Sequence, residues 1–417
     1  MAGASEAART AERVARESYG RLVAFLSART RDVAAAEDAL ADAFAAALRV
    51  WPAEGVPRNP AAWLLTVARR RHIDALRQWQ TRRADEERLS LMADEMDETD
   101  DIPDDIPDQR LALMFACAHP AIEPGARAPL ILQTLLGLNA ADIAAAFLVS
   151  PATMGQRLVR AKARIRDAGI PFRVPDREEL AGRLDAVLEA IYAAYSKAWG
   201  EIGEAASTAL AGDAIWLARL IAHLLPDEPE AKGMLALMLY TEARRAARRG
   251  PGDAYIPLEK QDPALWDDSL IEDAEALLCA ASARGPSGRY QIEAGIQSAH
   301  VLRRLTGVIN WQAVVALYDH LLARTNSPVV ALNRAAALSE LQGPAAGLAA
   351  LDAIGDDQRL LDYQPYWATR GHLLALAGRK AEAREALTLA IGLSSDSAVR
   401  NYLRTIIGGL DEGSGGT

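Results

Sequence analysis

The sequence has few residues that could cross-link the chain or hold a structural metal. It contains only two cysteines among 417 residues, Cys117 and Cys279, and neither belongs to a Cys-x-x-Cys pair or a Cys/His cluster. This spacing suggests neither a disulfide framework nor a zinc site. We therefore interpret both cysteines as buried free thiols.

Long apolar runs are also missing. No apolar stretch approaches the 18 residues typical of a membrane-spanning helix, and the first residues do not have the pattern of a signal peptide. We expect a cytoplasmic protein without a membrane segment. No cofactor is indicated.

Patterns typical of enzymes are absent as well. The sequence has no HExxH, GxSxG or Walker-type motif. Its six histidines are scattered through the chain, at positions 72, 119, 223, 300, 320 and 372. His119 precedes a proline, and we interpret it as a structural or capping residue. We expect a protein that is not an enzyme.

What is abundant is alanine, in a chain that is 50% apolar and has few β-branched runs. This composition predicts an all-α protein. The formal net charge is −10, but the charges are segregated along the chain. Residues 69–83 hold six arginines and one acid, residues 151–173 hold six basic residues and one acid, and residues 90–108 hold nine acids and no base. Two basic segments are thus separated by an acidic linker, and local fields rather than net charge decide what a surface binds.

The most informative segment is AADIAAAFLVSPATMGQRLVRAKARIRDA, residues 140–168. It is typical of a short helix, a tight turn and a longer basic helix, which is the arrangement of a DNA-binding helix-turn-helix. Ser150 and Pro151 supply the N-cap and the first-turn residue of the second helix.

The second helix separates an apolar stripe from a polar face. At 100° per residue, the apolar residues that share one stripe are Met154, Leu158, Ala161 and Ile165. The hydrogen-bond donors that cluster on a neighbouring face are Thr153, Gln156, Arg157, Arg160 and Arg164. Arginine and glutamine suit the edges of guanine and adenine in the major groove. Lys162 and Arg166 point to the other flank, where phosphate contacts are expected. The alternative is a solvated helix whose arginines only confer solubility.

The remaining chain, from about residue 176 to 410, has the pattern of successive helices joined by short turns. Two of its segments resemble each other, residues 327–354 and 364–391, with Pro328 and Pro365 at matching positions. The spacing between matching positions of the two segments, and the small residues at their helix crossings, resemble tetratricopeptide helix pairs. Such pairs bind peptides or partner domains. A generic alanine-rich helical hairpin is the alternative.

Three landmarks in order give the first half its family resemblance: AEDALADAFAAAL at 36–48, NPAAWLLTVARRRHIDALR at 59–77, and the helix-turn-helix segment. Residues 13–172 resemble an RNA polymerase sigma factor of the extracytoplasmic-function (ECF) type, in the sigma-70 family. The C-terminal part resembles the extension of the subset that carries tetratricopeptide-like helices.

The resemblance implies two small helical sigma domains followed by an α-helical, tetratricopeptide-like domain. The expected boundaries are 13–89 for region 2, 90–108 for the acidic linker, 109–172 for region 4 and 176–410 for the C-terminal domain. The expected partners are the clamp of the largest subunit of RNA polymerase core, promoter DNA and a regulatory protein bound through the C-terminal domain.

Family roles carried over to the matching positions give three candidate sets. The resemblance implies core-polymerase contacts by Glu37, Asp38, Leu40, Asp42 and Phe44. It implies recognition of the −10 promoter region by Arg69, Arg70, Arg71, Asp74 and Arg77. It implies reading of the −35 element by Thr153, Gln156, Arg157, Arg160, Lys162 and Arg164.

Two other functions stay open at this point. The first is a helix-turn-helix regulator that acts at operators without polymerase and uses the repeats for a ligand or partner. The second, a scaffold whose basic helices contact only protein, is weaker. The acidic AEDALADAF segment favours the sigma factor, because an operator-binding protein does not need it.

Overall fold

The computed structural model describes residues 2–80, 108–147, 149–200, 205–285, 287–355 and 357–412. In these residues the regular elements are helices, apart from one isolated antiparallel bridge between Arg249 and Tyr255. This confirms the all-α prediction. The acidic linker falls almost entirely outside the described residues.

The chain divides into two compact units, Met1–Ala214 and Ile215–Thr417. The helices of the first unit, the last of which continues into the second, are α1 (Ala2–Thr30), α2 (Val33–Glu54), α3 (Pro60–Gln80), α4 (Arg110–Cys117), α5 (Pro124–Leu136), α6 (Ala140–Ala146), α7 (Pro151–Asp167), α8 (Arg177–Gly200) and α9 (Ala205–Leu224).

Helices α1, α2 and α3 pack on one another. Asp32 caps α2, because its carboxylate accepts a hydrogen bond from the amide of Ala35 at 3.1 Å. The fully buried Trp51 meets Trp63 edge to face, with 5.4 Å between ring centroids. We expected this domain to begin at residue 13, but α1 begins at Ala2 and already buries Ala7. Because the apolar side chain of Ala7 is buried, the packed part of α1 begins before residue 13.

Helices α4, α6, α7 and α8 pack around α5. Helix α5 contacts α1, α4, α7 and α8, and α7 also contacts α2. At the crossing of α1 and α5 the backbones come very close: a Cβ added to Gly20 would lie 1.9 Å from the carbonyl oxygen of Leu135. Only glycine fits there. The two segments that we expected to form separate domains, 13–89 and 109–172, therefore pack as parts of one unit.

Helix α8 also belongs to the first unit, although we expected the C-terminal domain to begin at residue 176. The guanidinium of Arg183 is buried and donates to the carbonyl oxygen of Phe115 at 3.4 Å and to the Glu179 carboxylate at 2.9 Å. Val187 and Leu188 are fully buried. Prolines before α8 suggested a domain boundary, but the apolar face of this helix covers α4 and α5.

The second unit contains eleven further α-helices in its described residues. They are α10 (Pro229–Glu242), α11 (Asp268–Ser282), α12 (Arg289–Val301), α13 (Arg303–Thr306), α14 (Trp311–Thr325), α15 (Pro328–Gln342), α16 (Pro344–Asp352), α17 (Gln358–Leu361), α18 (Gln364–Leu376), α19 (Lys380–Leu393) and α20 (Ser397–Glu412). Four short 3-10 helices lie between α10 and α11.

The two similar segments of the C-terminal part each fold into a pair of packed helices, α15 with α16 and α18 with α19. Gly371 of α18 faces Leu387 of α19, and a Cβ there would lie 2.7 Å from the Leu387 Cγ atom. Ala383 and Ala386 are buried at the same crossing. The small residues thus let the paired helices approach closely.

The cysteines differ in their surroundings. Cys117 is buried, as we expected, and its Sγ atom lies 3.8 Å from the hydroxyl of Thr134. Burial raises the pKa of this thiol to about 12. Cys279 is exposed, so the expectation that both thiols are buried was wrong for this one. In the part of the chain that the structure describes, no helix is long and apolar enough to cross a membrane.

Candidate nucleic-acid interface

Helix α7 begins where the sequence placed its cap. Ser150 is the N-cap, and its hydroxyl accepts a hydrogen bond from the amide of Thr153 at 3.3 Å. Pro151 takes the first helical position, where a missing amide hydrogen costs nothing. Asn139 caps α6 in the same way, accepting from the amide of Asp142 at 2.9 Å. Helix α6 ends at Ala146, and α7 begins at Pro151.

The buried stripe of α7 is the one that periodicity predicted. Met154, Leu158, Ala161 and Ile165 are all buried, against the surrounding helices. This packing fixes the rotation of α7 and therefore decides which side chains face solvent.

The solvent face of α7 carries most of the candidate −35 residues. Those that are exposed are Thr153, Gln156, Arg160 and Arg164. Arg157 is half-buried, with its guanidinium beside Gly125 at the start of α5. Arg164 donates to the carbonyl oxygen of Ala121 at 3.3 Å, which holds it at one edge of the face.

The same face includes a residue that sequence reasoning missed. Val159 is 70% exposed and lies between the Gln156 and Arg160 side of the helix and the flank with Lys162 and Arg166. Its signal was an apolar residue outside the buried stripe. A methyl group at such a place can contact the methyl group of thymine.

Lys162 does not lie with the other candidates. Its ammonium group pairs with the carboxylate of Glu37 on α2, and the two side chains are only 17% and 14% exposed. Arg166, one turn further along, lies 3.8 Å from the carboxylate of Asp32. On the flank that we expected to face phosphates, Lys162 is thus enclosed against α2, whereas Arg166 stays exposed and also bonds Asp167 at 3.1 Å.

The candidate polymerase residues of α2 fall into different environments. Asp38 and Asp42 are exposed, whereas Leu40 is fully buried and Phe44 is half-buried. We expected Glu37 to face a basic partner outside the chain; in the structure its partner is Lys162. Burial raises the pKa of Glu37, and the neighbouring ammonium lowers it by less. Leu48, half-exposed on the same helix, was not among the candidates.

The candidate −10 residues lie along α3. Arg70, Arg71 and Asp74 are exposed, and Arg69 is half-buried. Arg77 lies outside the residues whose side chains the structure describes. The exposed arginines are adjacent in sequence and form a basic edge of the kind that follows a nucleic-acid backbone.

The remaining candidates for chemistry have structural surroundings. The Nδ1 atom of His119 accepts a hydrogen bond from the amide of Ala121 at 3.1 Å, which agrees with the capping role that we expected. Burial lowers the pKa of this histidine. Among the described residues, no group of three or more His, Cys, Asp or Glu residues is arranged to hold a metal ion.

Comparison with known proteins identifies two segments. Residues 14–83 match the model of sigma-70 region 2, and residues 183–282 match a family of unknown function (DUF6596). The first match covers the second half of α1 and all of α2 and α3, and the second runs from within α8 to the end of α11.

A relative covers nearly the whole chain. An uncharacterized protein of Rhizobium meliloti (strain 1021) is 39% identical over 380 residues, which are 90% of this chain and 89% of the relative. No solved structure matches the chain.

Proposed function

The chain belongs to the sigma-70 family, in one family with the Rhizobium meliloti relative, and on this premise we propose that it is an ECF-type sigma factor. In this proposal it binds RNA polymerase core, directs initiation at specific promoters, and performs no chemistry itself because phosphodiester synthesis stays with the polymerase. The observation that carries the proposal is the region 2 match over three packed helices, one of which presents exposed acids.

Each basic or acidic surface has a role in this proposal. Asp38 and Asp42 on α2 contact a basic surface of the polymerase clamp. The basic edge of α3, with Arg70 and Arg71, follows the backbone of the −10 region, and the solvent face of α7 reads the −35 element as the second helix of a helix-turn-helix. Captured unpaired bases would offset the cost of melting the duplex.

The helices after α9 regulate the factor or add contacts. Tetratricopeptide-like pairs such as α15 with α16 and α18 with α19 present surfaces to a peptide or a partner domain. A regulatory protein is therefore the partner that we propose for this part.

The test is binding of the full chain to purified RNA polymerase core. We expect association of the wild type and at least ten-fold weaker association of Asp38→Lys/Asp42→Lys, because two acids would become cations facing a basic surface. The control, Glu178→Lys/Asp185→Lys, makes the same charge change on the exposed side of α8 and should bind as the wild type does.

The alternative function predicts another outcome. A polymerase-independent operator protein would bind duplex DNA but would not associate with core, and its acidic residues on α2 would be dispensable. Absence of core binding by the wild type therefore contradicts the sigma factor and supports the operator protein.

A further inference from the structure

The contact between α2 and α7 brings two cations onto two acids. Lys162 and Arg166 are four residues apart and share one flank of α7. Opposite them, Asp32 caps α2 and Glu37 lies in its first turns. The Lys162 ammonium bonds the Glu37 carboxylate. At the more exposed edge, Arg166 donates to the carboxylate of Asp167 at 3.1 Å and lies 3.8 Å from that of Asp32.

The central pair is enclosed, which makes each partner depend on the other. Removing one member of a mostly buried pair leaves an uncompensated charge, whereas exchanging it for another anion does not. Among the described residues, the other titratable groups that act on the two acids are His72 near Asp32, and Tyr19, Asp38 and Cys117 near Glu37. None of them supplies a second cation, so Lys162 is the counterion of Glu37.

A second, uncharged contact holds the same two groups of helices together. The backbone of α1 at Gly20 touches the backbone of α5 at Leu135, with no space for a side chain. Helix α1 packs on α2, and α5 packs on α7. The α1–α5 crossing therefore supports the α2–α7 contact without involving its charges.

We propose that Glu37 and Asp32 occupy, in the unbound protein, the places that DNA phosphates take on the flank of α7. Duplex DNA then competes with α2 for Lys162 and Arg166, and the protein masks part of its own DNA-binding surface. This inference rests on the proposed DNA-reading role of α7.

The salt dependence of DNA binding tests the competition. The probe is a mixed-sequence duplex of about 30 base pairs, titrated with the full-length protein in the absence of polymerase. Each phosphate that a cation neutralises adds about 0.9 to the magnitude of the slope of log K against log salt. Glu37→Gln should steepen the slope by that amount and tighten binding roughly eight-fold at 0.1 M salt, because Lys162 is released to a phosphate.

Two further variants assign the effect to the pair. Asp38→Asn removes the same charge from the next, exposed residue and should leave the slope unchanged. Lys162→Met should have little effect by itself, since the ammonium is already occupied, and should cancel the effect of Glu37→Gln in the double variant. If Glu37→Gln and Asp38→Asn behave alike, or if the double variant keeps the gain, the proposal is wrong.

A charge-neutral variant gives an independent measurement. Gly20→Ala should force α1 and α5 apart and increase DNA affinity without altering any ionisable group. Its control is Gly182→Ala, where an added methyl group meets open space. Unchanged affinity in a Gly20→Ala protein that remains helical by circular dichroism would contradict the proposal.

The proposed function fails in a different way. If Arg160→Ala, which removes an exposed cation from the solvent face of α7, does not weaken DNA binding, then α7 is not the DNA-binding helix at all. If Arg160→Ala weakens binding while the Glu37 variants behave as the Asp38 control, only the internal competition is excluded.

Discussion

Among single residues, Val159 stands out because it is an apolar side chain that the fold leaves in solvent, between the polar face of α7 and the flank with Lys162 and Arg166. Nothing in the packing of α7 requires it, since the buried stripe runs along the opposite side. In the proposed promoter complex, this position is next to Gln156 and Arg160, where a base edge would lie.

We therefore predict that Val159→Thr changes base preference. Threonine keeps the shape of valine but has a hydroxyl group in place of one methyl group. If that methyl group contacts a thymine methyl group, binding should weaken by about 1 kcal/mol, near the value of one buried methyl group. Selection of bound duplexes from a randomised library should show relaxed preference at one base. Val174→Thr, an exposed valine outside the helices, should leave the preference as in the wild type; an unchanged preference for Val159→Thr would exclude the contact.

Residue periodicity explains which parts of this surface were predictable. The buried stripe of α7 and the cap at Ser150 follow from local sequence, because helical spacing and capping depend on neighbouring residues. The pairing of Lys162 with Glu37 does not, since the two residues are 125 positions apart. Helical spacing predicted phosphate contacts for the flank of α7 that carries Lys162, but the packing of α2 on α7 determines what surrounds this lysine.

At the level of elements, α12 and α14 enclose a histidine that no pattern singled out. His300 is buried and meets Trp311 edge to face, with 5.5 Å between ring centroids. Burial, together with the smaller effect of the nearby cations Arg244 and Arg303, lowers the pKa of His300 to about 4. The folded protein therefore holds this imidazole in its neutral form.

This environment predicts a loss of stability in acid. The ordinary pKa of the unfolded histidine is about 6.5, so the unfolded chain takes up a proton as the pH falls from 6.5 to 4 and the folded chain does not. Stability contributed by neutral His300 is complete above pH 6.5 and decreases by roughly 3 kcal/mol at pH 4. Below pH 4 both states are protonated and the decrease ends.

Hydrogen exchange of the α12 and α14 amides, corrected for the intrinsic rate, measures this component. His300→Phe keeps the contact with Trp311 but cannot be protonated. Its stability should therefore decrease by less than that of the wild type between pH 6.5 and 4. His372→Phe, at an exposed histidine of α18, should show the wild-type decrease. Identical pH dependence in the wild type and His300→Phe would mean that another group is responsible.

At the scale of the whole molecule, α8 belongs to the first unit, so the boundary with the C-terminal part lies after this helix and not before it. The helix-rich composition predicted the all-α fold, and residues 14–83, which hold two of the motifs, match the model of sigma-70 region 2. The boundary at residue 176 came from prolines, which mark the end of a helix but carry no information about which core the next helix joins. Here the buried face of α8 closes the core of the first unit.

A truncation experiment should therefore depend sharply on where the chain is cut. A fragment of residues 1–175 lacks α8 and exposes the faces of α4 and α5 that it covers. The aliphatic side chains it would lose, among them Leu184, Val187, Leu188 and Ile191, are buried, and each is worth about 1.5 to 3 kcal/mol. That sum is comparable with the entire stability of a typical domain, about 5 to 15 kcal/mol.

We predict that residues 1–200 unfold cooperatively on heating, followed by circular dichroism, and elute as a compact species from size exclusion. Residues 1–175 should aggregate or unfold without a sharp transition. Equal melting of the two fragments would show that α8 does not belong to the first core. The longer fragment is then the correct one for a transcription assay against the full chain, because a loss of activity by the shorter one would report a broken core rather than a missing regulatory domain.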